Sequence, residues 1–145
     1  MQLTRHTDYA LRVLMYLSAQ NKSMISVAEV AACYSISRNH LVKVVQGLTK
    51  HGFVITVRGK YGGMKLSRSA NEISIGNVIR HMENNFNVVE CFDRTANTCA
   101  IDTTCKLKNI LQSSVENFLR ELDGISLAEV INPDLRSELV NLSNN

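Results

Sequence analysis

The sequence predicts a mostly α-helical chain with one small β-hairpin, and three observations carry that prediction. Trp is absent and aromatics are few, so the 45% hydrophobic content must build its core from Leu, Ile, Val, Ala and Met, which suits packed helices. Several segments repeat apolar residues every three or four positions. Residues 53–66 instead combine a β-branched run with a Gly-rich turn. At 145 residues the chain has room for one domain and little more.

The first helix is expected from Thr7 to Gln20, with Tyr9, Leu11, Val13, Leu14, Tyr16 and Leu17 on its apolar side. Asp8 in the first turn suits the helix dipole, and Arg12 follows it at ion-pair spacing. Ser26 to Glu29 is a capping box that opens a helix to about Cys33. Tyr34 to Ile36 breaks the pattern. Ser37 then caps a helix from Arg38 to about His51, which Gly52 ends. Its buried stripe is Leu41, Val44, Val45 and Leu48.

Phe53 to Val57 reads as a strand, Arg58 to Gly63 as a turn and Met64 to Leu66 as the return strand. Ser74 caps a helix from Ile75 to about Glu83. Residues 84–105 lack periodicity and carry three of the four cysteines. The strongest helix runs from Lys106 to Asp123 and stops at Gly124. Ser126 to Glu129 is a second capping box, expected to open a short helix before Pro133. The tail is expected to hold one weak helix and then fray.

Charge divides the chain. Residues 1–71 hold ten Lys/Arg against two acids, a balance of +8, whereas residues 72–145 hold six against eleven, a balance of −5. No acid lies between Glu29 and Glu72, a gap with seven bases. Such a stretch favours a polyanion, although a merely solvated basic face has the same composition.

Element order decides between them. Helix, capped helix, turn, capped basic helix and basic hairpin are the parts of a winged helix-turn-helix. A recognition helix must bury one stripe and present polar side chains near its N-terminus, the end that enters the major groove. Ser37, Arg38, Asn39, His40 and Lys43 stand there. Arg pairs with guanine and Asn with adenine, while Lys mostly meets phosphate. The wing residues Arg58, Gly59, Lys60, Tyr61, Gly62 and Gly63 can lie over the backbone or reach a minor groove. A plain helical hairpin over 26–51 is the competing reading. It leaves the missing acids and the basic hairpin unexplained. A two-fold dimer on palindromic double-stranded DNA gains affinity and specificity together. Helix 106–123 is the natural dimerisation element, unless its stripe packs only within its own chain.

Cys91, Cys99 and Cys105 are separated by seven and five residues, unlike the short pairs of a zinc ribbon. The spacing suits a flexible loop wrapped round something larger than one ion. An iron–sulfur cluster, a thiol redox switch, a zinc site and ordinary reduced cysteines all remain open at this point. Cys33 falls within the helix-turn-helix and reads as a buried structural cysteine.

The assembled stretches LTRHTDYALRVLMYL, SISRNHLVKVVQGLTKHGFVITVRGKYGGMKL, ISIGNVIRHME and VVECFDRTANTCAIDTTCKLKNIL resemble the small bacterial Rrf-type winged-helix repressors. FLRELDGISLAEVI extends the likeness to about residue 131. Within the family, HTDYALRVL and SRNHLVKV are similar to the nitric-oxide-sensing branch. The resemblance implies a homodimeric repressor whose long helix crosses between subunits, with nitric oxide as the signal that relieves repression. It also implies an iron–sulfur cluster, [4Fe-4S] or [2Fe-2S], held by Cys91, Cys99 and Cys105. In that branch an aspartate on the partner's first helix completes the ligand set, and Asp8 stands at that position. Arg12 would orient it. Another branch uses a histidine three residues beyond the last cysteine, where this chain has Lys108. Asp8 also reads as an ordinary first-turn charge.

Three parts are therefore expected within one compact unit: a DNA-binding domain over 1–83, a cluster loop over 84–105, and a dimerisation helix with tail over 106–145. Iron or cluster supply, or thiol oxidation, are alternative signals for the same fold, because the spacing of the first two cysteines also occurs in iron-responsive members. An iron–sulfur electron carrier or enzyme is a remote alternative, since no substrate-pocket motif, phosphate-cradling loop or nucleophile–base signature is seen. No apolar run reaches a membrane span, and the charged N-terminal pattern is unlike a secretion signal, so a cytoplasmic location without membrane attachment is expected.

Overall fold

A computed structural model describes residues 2–142. Its elements are α1 (Arg5–Ala19), α2 (Val27–Tyr34), α3 (Arg38–Lys50), β1 (Val54–Val57), β2 (Gly63–Leu66), α4 (Ile75–Met82), α5 (Lys106–Asp123) and α6 (Pro133–Leu142). The mostly helical architecture with one hairpin is the predicted one. The anticipated fraying of the tail concerns residues 143–145 and lies outside the described residues.

α1 starts earlier than periodicity suggested because a cap precedes it. The Thr4 hydroxyl accepts from the Thr7 amide at 3.3 Å. Its inner face buries Ala10, Val13, Leu14, Tyr16 and Leu17, and α3, α4, α6 and β2 pack around it. The first capping box is formed: Ser26 and Glu29 exchange bonds of 2.7 and 3.2 Å. Ser37 corrects expectation. It sits at the N-cap of α3, but its hydroxyl makes no capping bond.

The hairpin pairs Val54 with Leu66 and Val57 with Gly63 in antiparallel register. Phe53 falls outside β1 and is buried in the core instead. Ile25 locks the hairpin base by exchanging backbone bonds of 3.0 and 2.7 Å with Met64. At the wing tip Gly59 has φ +110°, a conformation that L side chains resist, and its carbonyl accepts from Gly62 N at 2.9 Å.

The second capping box does not open a helix. Ser126 and Glu129 exchange bonds of 2.7 and 3.3 Å, yet residues 127–130 form turns. The Leu127 amide is committed to the Ile73 carbonyl at 2.8 Å, and Leu127 is buried there. Pro133 also disfavours helical backbone at Asn132. The tail helix begins at Pro133, where a missing N–H costs nothing, with the Asn132 side chain accepting from Leu135 N at 2.8 Å. α6 docks on α1 through buried Leu139 and an Arg136 bond of 3.0 Å to the Ala19 carbonyl.

α5 leans on α4 at one end. Arg80 of α4 holds Asp123 at 2.8 Å and Glu116 at 3.3 Å, and Ser74 Oγ donates to the Asp123 carbonyl at 2.9 Å. Gly76 permits this approach, because a Cβ there would press into the Asp123 carboxylate and backbone, with Asp123 Cα at 2.8 Å. Gly76→Ala should therefore destabilise the fold by about 1–3 kcal/mol. A lowered urea midpoint, followed by far-ultraviolet circular dichroism, checks it.

Candidate nucleic-acid interface and cysteine loop

α3 divides cleanly. Leu41, Val44, Val45 and Leu48 are buried, while Arg38, Asn39, His40 and Lys43 are exposed on its N-terminal half. With Ser37 not capping, the first amides of α3 lack a side-chain partner from that residue. In the wing, Arg58, Gly59 and Lys60 are exposed, Gly62 and Gly63 are partly covered, and Tyr61 is 85% exposed. Lys60 Nζ lies 5.7 Å from the Tyr61 ring centre.

Among the described residues, four bases are neutralised by carboxylates, and none of the four lies on this face. Arg12, Lys22, Arg80 and Lys108 each hold a carboxylate. Among the described residues, Arg38, Lys43, Arg58 and Lys60 hold none. A run of unpaired cations on one helix and an adjacent hairpin raises local anion concentration.

The helix α1 connects to this face. Arg12 clasps Asp8 with two bonds, Nη2 to Oδ2 at 2.8 Å and Nε to Oδ1 at 3.1 Å. Its guanidinium carbon also lies 5.8 Å from the Tyr9 ring centre and 5.9 Å from that of Tyr34. Tyr9 in turn meets His40 of α3 with ring centres 6.4 Å apart. Burial, followed by the neighbouring Cys33, pushes the Tyr34 phenol well above its usual range, so Tyr34 stays neutral.

Cys91, Cys99 and Cys105 are free thiols, each partly buried. Cys91 sits in a short 3-10 turn, Glu90–Phe92, and Cys105 occupies the N-cap position of α5. Between them the loop is braced by its own polar groups. The Glu90 carboxylate accepts from Thr98 N at 2.9 Å and Thr98 Oγ1 at 2.7 Å, joining the residues that precede Cys91 and Cys99. These bonds hold the Glu90 carboxyl below its usual range. Lys108 pairs with Asp102 at 2.5 Å, tying the Cys99–Cys105 segment to α5. Cys33, on α2, is half-buried against the core, and burial pushes its thiol up, in keeping with a structural role.

Among the described residues, no group of three or more His, Cys, Asp or Glu is gathered closely enough to hold a metal ion. The donor chemistry nevertheless fits an iron–sulfur cluster. Three thiols are free of disulfides and partly open, on a segment whose backbone is not fixed in long helices or strands. An open groove of about 850 Å³ lies beside Cys91, lined also by Phe92 and Arg94 of the loop and Lys108, Gln112 and Val115 of α5; Cys99 and Cys105 do not line it.

α5 buries only Leu119 fully, and leaves Leu107 60%, Ile110 61% and Phe118 37% exposed. Its stripe is thus not consumed within the chain.

Sequence reasoning missed the residues that act across elements. Glu90, Thr98, Asp102 and Lys108 brace the loop, and the signal for the first pair was an acid and a hydroxyl each directly preceding a cysteine. Arg5 and His6 also went unremarked, though they border α3.

Residues 3–133 match the model of the family described as "Rrf2: Iron-dependent Transcriptional regulator". The chain is 43% identical over 132 residues to the HTH-type transcriptional regulator NsrR of Bacillus licheniformis, covering 90% of this chain and 92% of that one. It is 42% identical over 142 residues to NsrR of Shouchella clausii, covering 96% and 95%. Among solved structures it is similar to T. potens IscR, with TM-score 0.71 and 21% identity over 90% of this chain and 85% of that one. CymR, the global cysteine regulator of B. subtilis, gives TM-score 0.68 and 22% identity over 90% and 95%. No helix among the described residues is long and apolar enough to cross a membrane.

Proposed function

Because the chain belongs to the Rrf2 family of transcriptional regulators, we propose that it is a homodimeric repressor whose grip on palindromic operator DNA depends on an iron–sulfur cluster and is relieved by nitric oxide. One observation carries the reading. A single chain combines an unpaired basic face on α3 and the wing with a loop of three free thiols beside an uncovered helix. Likeness to relatives named NsrR supports the choice of signal.

In this reading Arg38 and Asn39 read base edges, with Ser37 and His40 beside them, and Lys43 meets phosphate. Arg58 and Lys60 hold the backbone or enter a minor groove, and Tyr61 with the wing glycines shapes the approach. The α5 stripes of two chains cover one another. Cys91, Cys99 and Cys105 would hold the cluster, and Asp8 of the partner subunit would complete its ligands, steered by Arg12. Such a cluster supplies iron that reacts with nitric oxide. Asp8 sits on the helix that packs against α3, so loss of its tie changes the seat of the recognition helix. A signal shifts the equilibrium only by its differential affinity for the two states, so the intact cluster must favour the DNA-competent dimer. The site of action is the cytoplasm.

The family description as iron-dependent favours a second reading, in which iron or cluster supply is the signal through the same loop. The relatives are named as regulators, which places the chain away from electron carriers and enzymes.

The test compares anaerobically reconstituted protein with the same protein stripped by a chelator, both titrated with operator DNA. Reconstituted protein should bind at least about tenfold more tightly. Equal binding would remove the cluster from the account.

A further inference from the structure

A cleft of about 220 Å³ lies at the junction of α1 and α3, lined by Arg5, His6 and Tyr9 from one helix and His40, Lys43 and Val44 from the other. Four of its six walls are basic side chains, and none is acidic. The nearby carboxylates are engaged elsewhere. Asp8 is clasped by Arg12, and Glu83 accepts from Thr4 N at 2.6 Å and Thr4 Oγ1 at 3.1 Å. Neither lines the cleft. Among the described residues, Arg5 and Lys43 hold no ion pair. Arg5, His6, His40 and Lys43 are all exposed, so the basic groups face solvent.

The size also fits. A water occupies about 30 Å³, so the cleft has room for a tetrahedral anion with part of its hydration shell. His40 and Lys43 belong to the exposed half of α3, so the cleft opens beside the surface that would face a major groove. Along the borders of that groove run the phosphates of both strands.

We propose that this cleft is a clamp for one DNA backbone phosphate, in which Arg5 and His6 of α1 close on the phosphate from one side and Lys43 and His40 of α3 from the other. The proposal rests on the DNA-binding reading and deepens it by adding α1 to the interface. It has a mechanical consequence. Asp8 and Arg5 stand one turn apart on one helix, so the proposed cluster ligand and a proposed DNA contact move as one rigid body.

Phosphate contacts do not depend on sequence, so a mixed-sequence duplex of about three helical turns serves as probe. Binding by the intact dimer is followed by fluorescence anisotropy across a salt series. Each phosphate neutralised contributes about 0.9 to the slope of log K against log salt, and Lys43 still faces the phosphate when Arg5 is gone, so Arg5→Ala should lower the dimer's slope by up to roughly 2 and weaken low-salt binding about tenfold or more. Arg5→Lys, which keeps the charge, should retain most of the slope. Arg120→Ala, an exposed charge on α5 that bonds Asn117 of its own helix, should leave it unchanged. Circular dichroism confirms that each variant is folded.

A wild-type slope in Arg5→Ala, with wild-type protein binding normally, overturns the clamp and leaves the DNA-binding reading standing. Equal losses in Arg5→Ala and Arg120→Ala also overturn it, since general charge then suffices. Absence of salt-dependent binding by the wild-type protein overturns the DNA-binding reading itself, and the clamp with it.

Discussion

Serine in place of Cys91, Cys99 or Cys105 should abolish the visible iron–sulfur absorbance of anaerobically reconstituted protein and reduce operator binding to that of stripped protein. A serine hydroxyl stays protonated near neutral pH, whereas a thiol bound to iron is deprotonated. With three cysteines on the loop, there is no spare thiolate to replace a lost one. Stability should hardly change. All three residues are partly buried but lie outside the core, and substitutions away from packed or specially constrained positions usually shift stability by less than about 0.5 kcal/mol. Cys33→Ser supplies the contrast. It should keep the absorbance and lose some stability, because a hydroxyl would replace a thiol packed against the core. Absorbance at full strength in Cys91→Ser, Cys99→Ser and Cys105→Ser alike would dismiss the loop as the cluster site.

Alanine at Arg38 or Asn39 should weaken operator binding by the dimer about thirtyfold or more, because each variant removes a base contact of roughly 1–3 kcal/mol from both half-sites. The loss should be confined to the cognate site. Binding to mixed-sequence DNA should fall far less, since base contacts carry the sequence information. Lys43→Ala should behave in the opposite way, weakening both by similar factors and flattening the salt dependence. The side chains of Arg38, Asn39 and Lys43 are exposed on α3, so none of these changes opens a cavity. Competition binding with cognate and mixed-sequence duplexes separates the two classes. Equal losses on both duplexes for Arg38→Ala would assign Arg38 to the backbone instead.

Legibility in the sequence followed the range of the interactions. The bounds of α5 and the stripe of α3 were readable because periodicity is local, and the bracing of the wing by glycine was readable for the same reason. Failures arose where a distant partner decided. Ser126 and Glu129 form their reciprocal bonds, but Ile73 claims the Leu127 amide and Pro133 closes the space a helix would need. Ser37 has the residue type and position of a cap, yet its hydroxyl makes no capping bond. The early start of α1 came from Thr4, a polar residue outside the apolar repeat.

The candidate site divides the same way. Single-element features, such as the basic N-terminal half of α3 and the spacing of the three cysteines, could be read directly. Asp8 and Arg12 were predicted to pair because they share one helix face, and they do. The Glu90–Thr98 brace, the Asp102–Lys108 pair and the meeting of Arg5 and His6 with His40 and Lys43 required the chain to be folded first. No helical or strand period brings those residues together.

The most direct measurement titrates one anaerobic sample of reconstituted dimer, bound to labelled operator, with nitric oxide while absorbance and anisotropy are read together. Operator should be released as the visible absorbance bleaches, with both signals following one curve. Full bleaching with the operator still bound would contradict it.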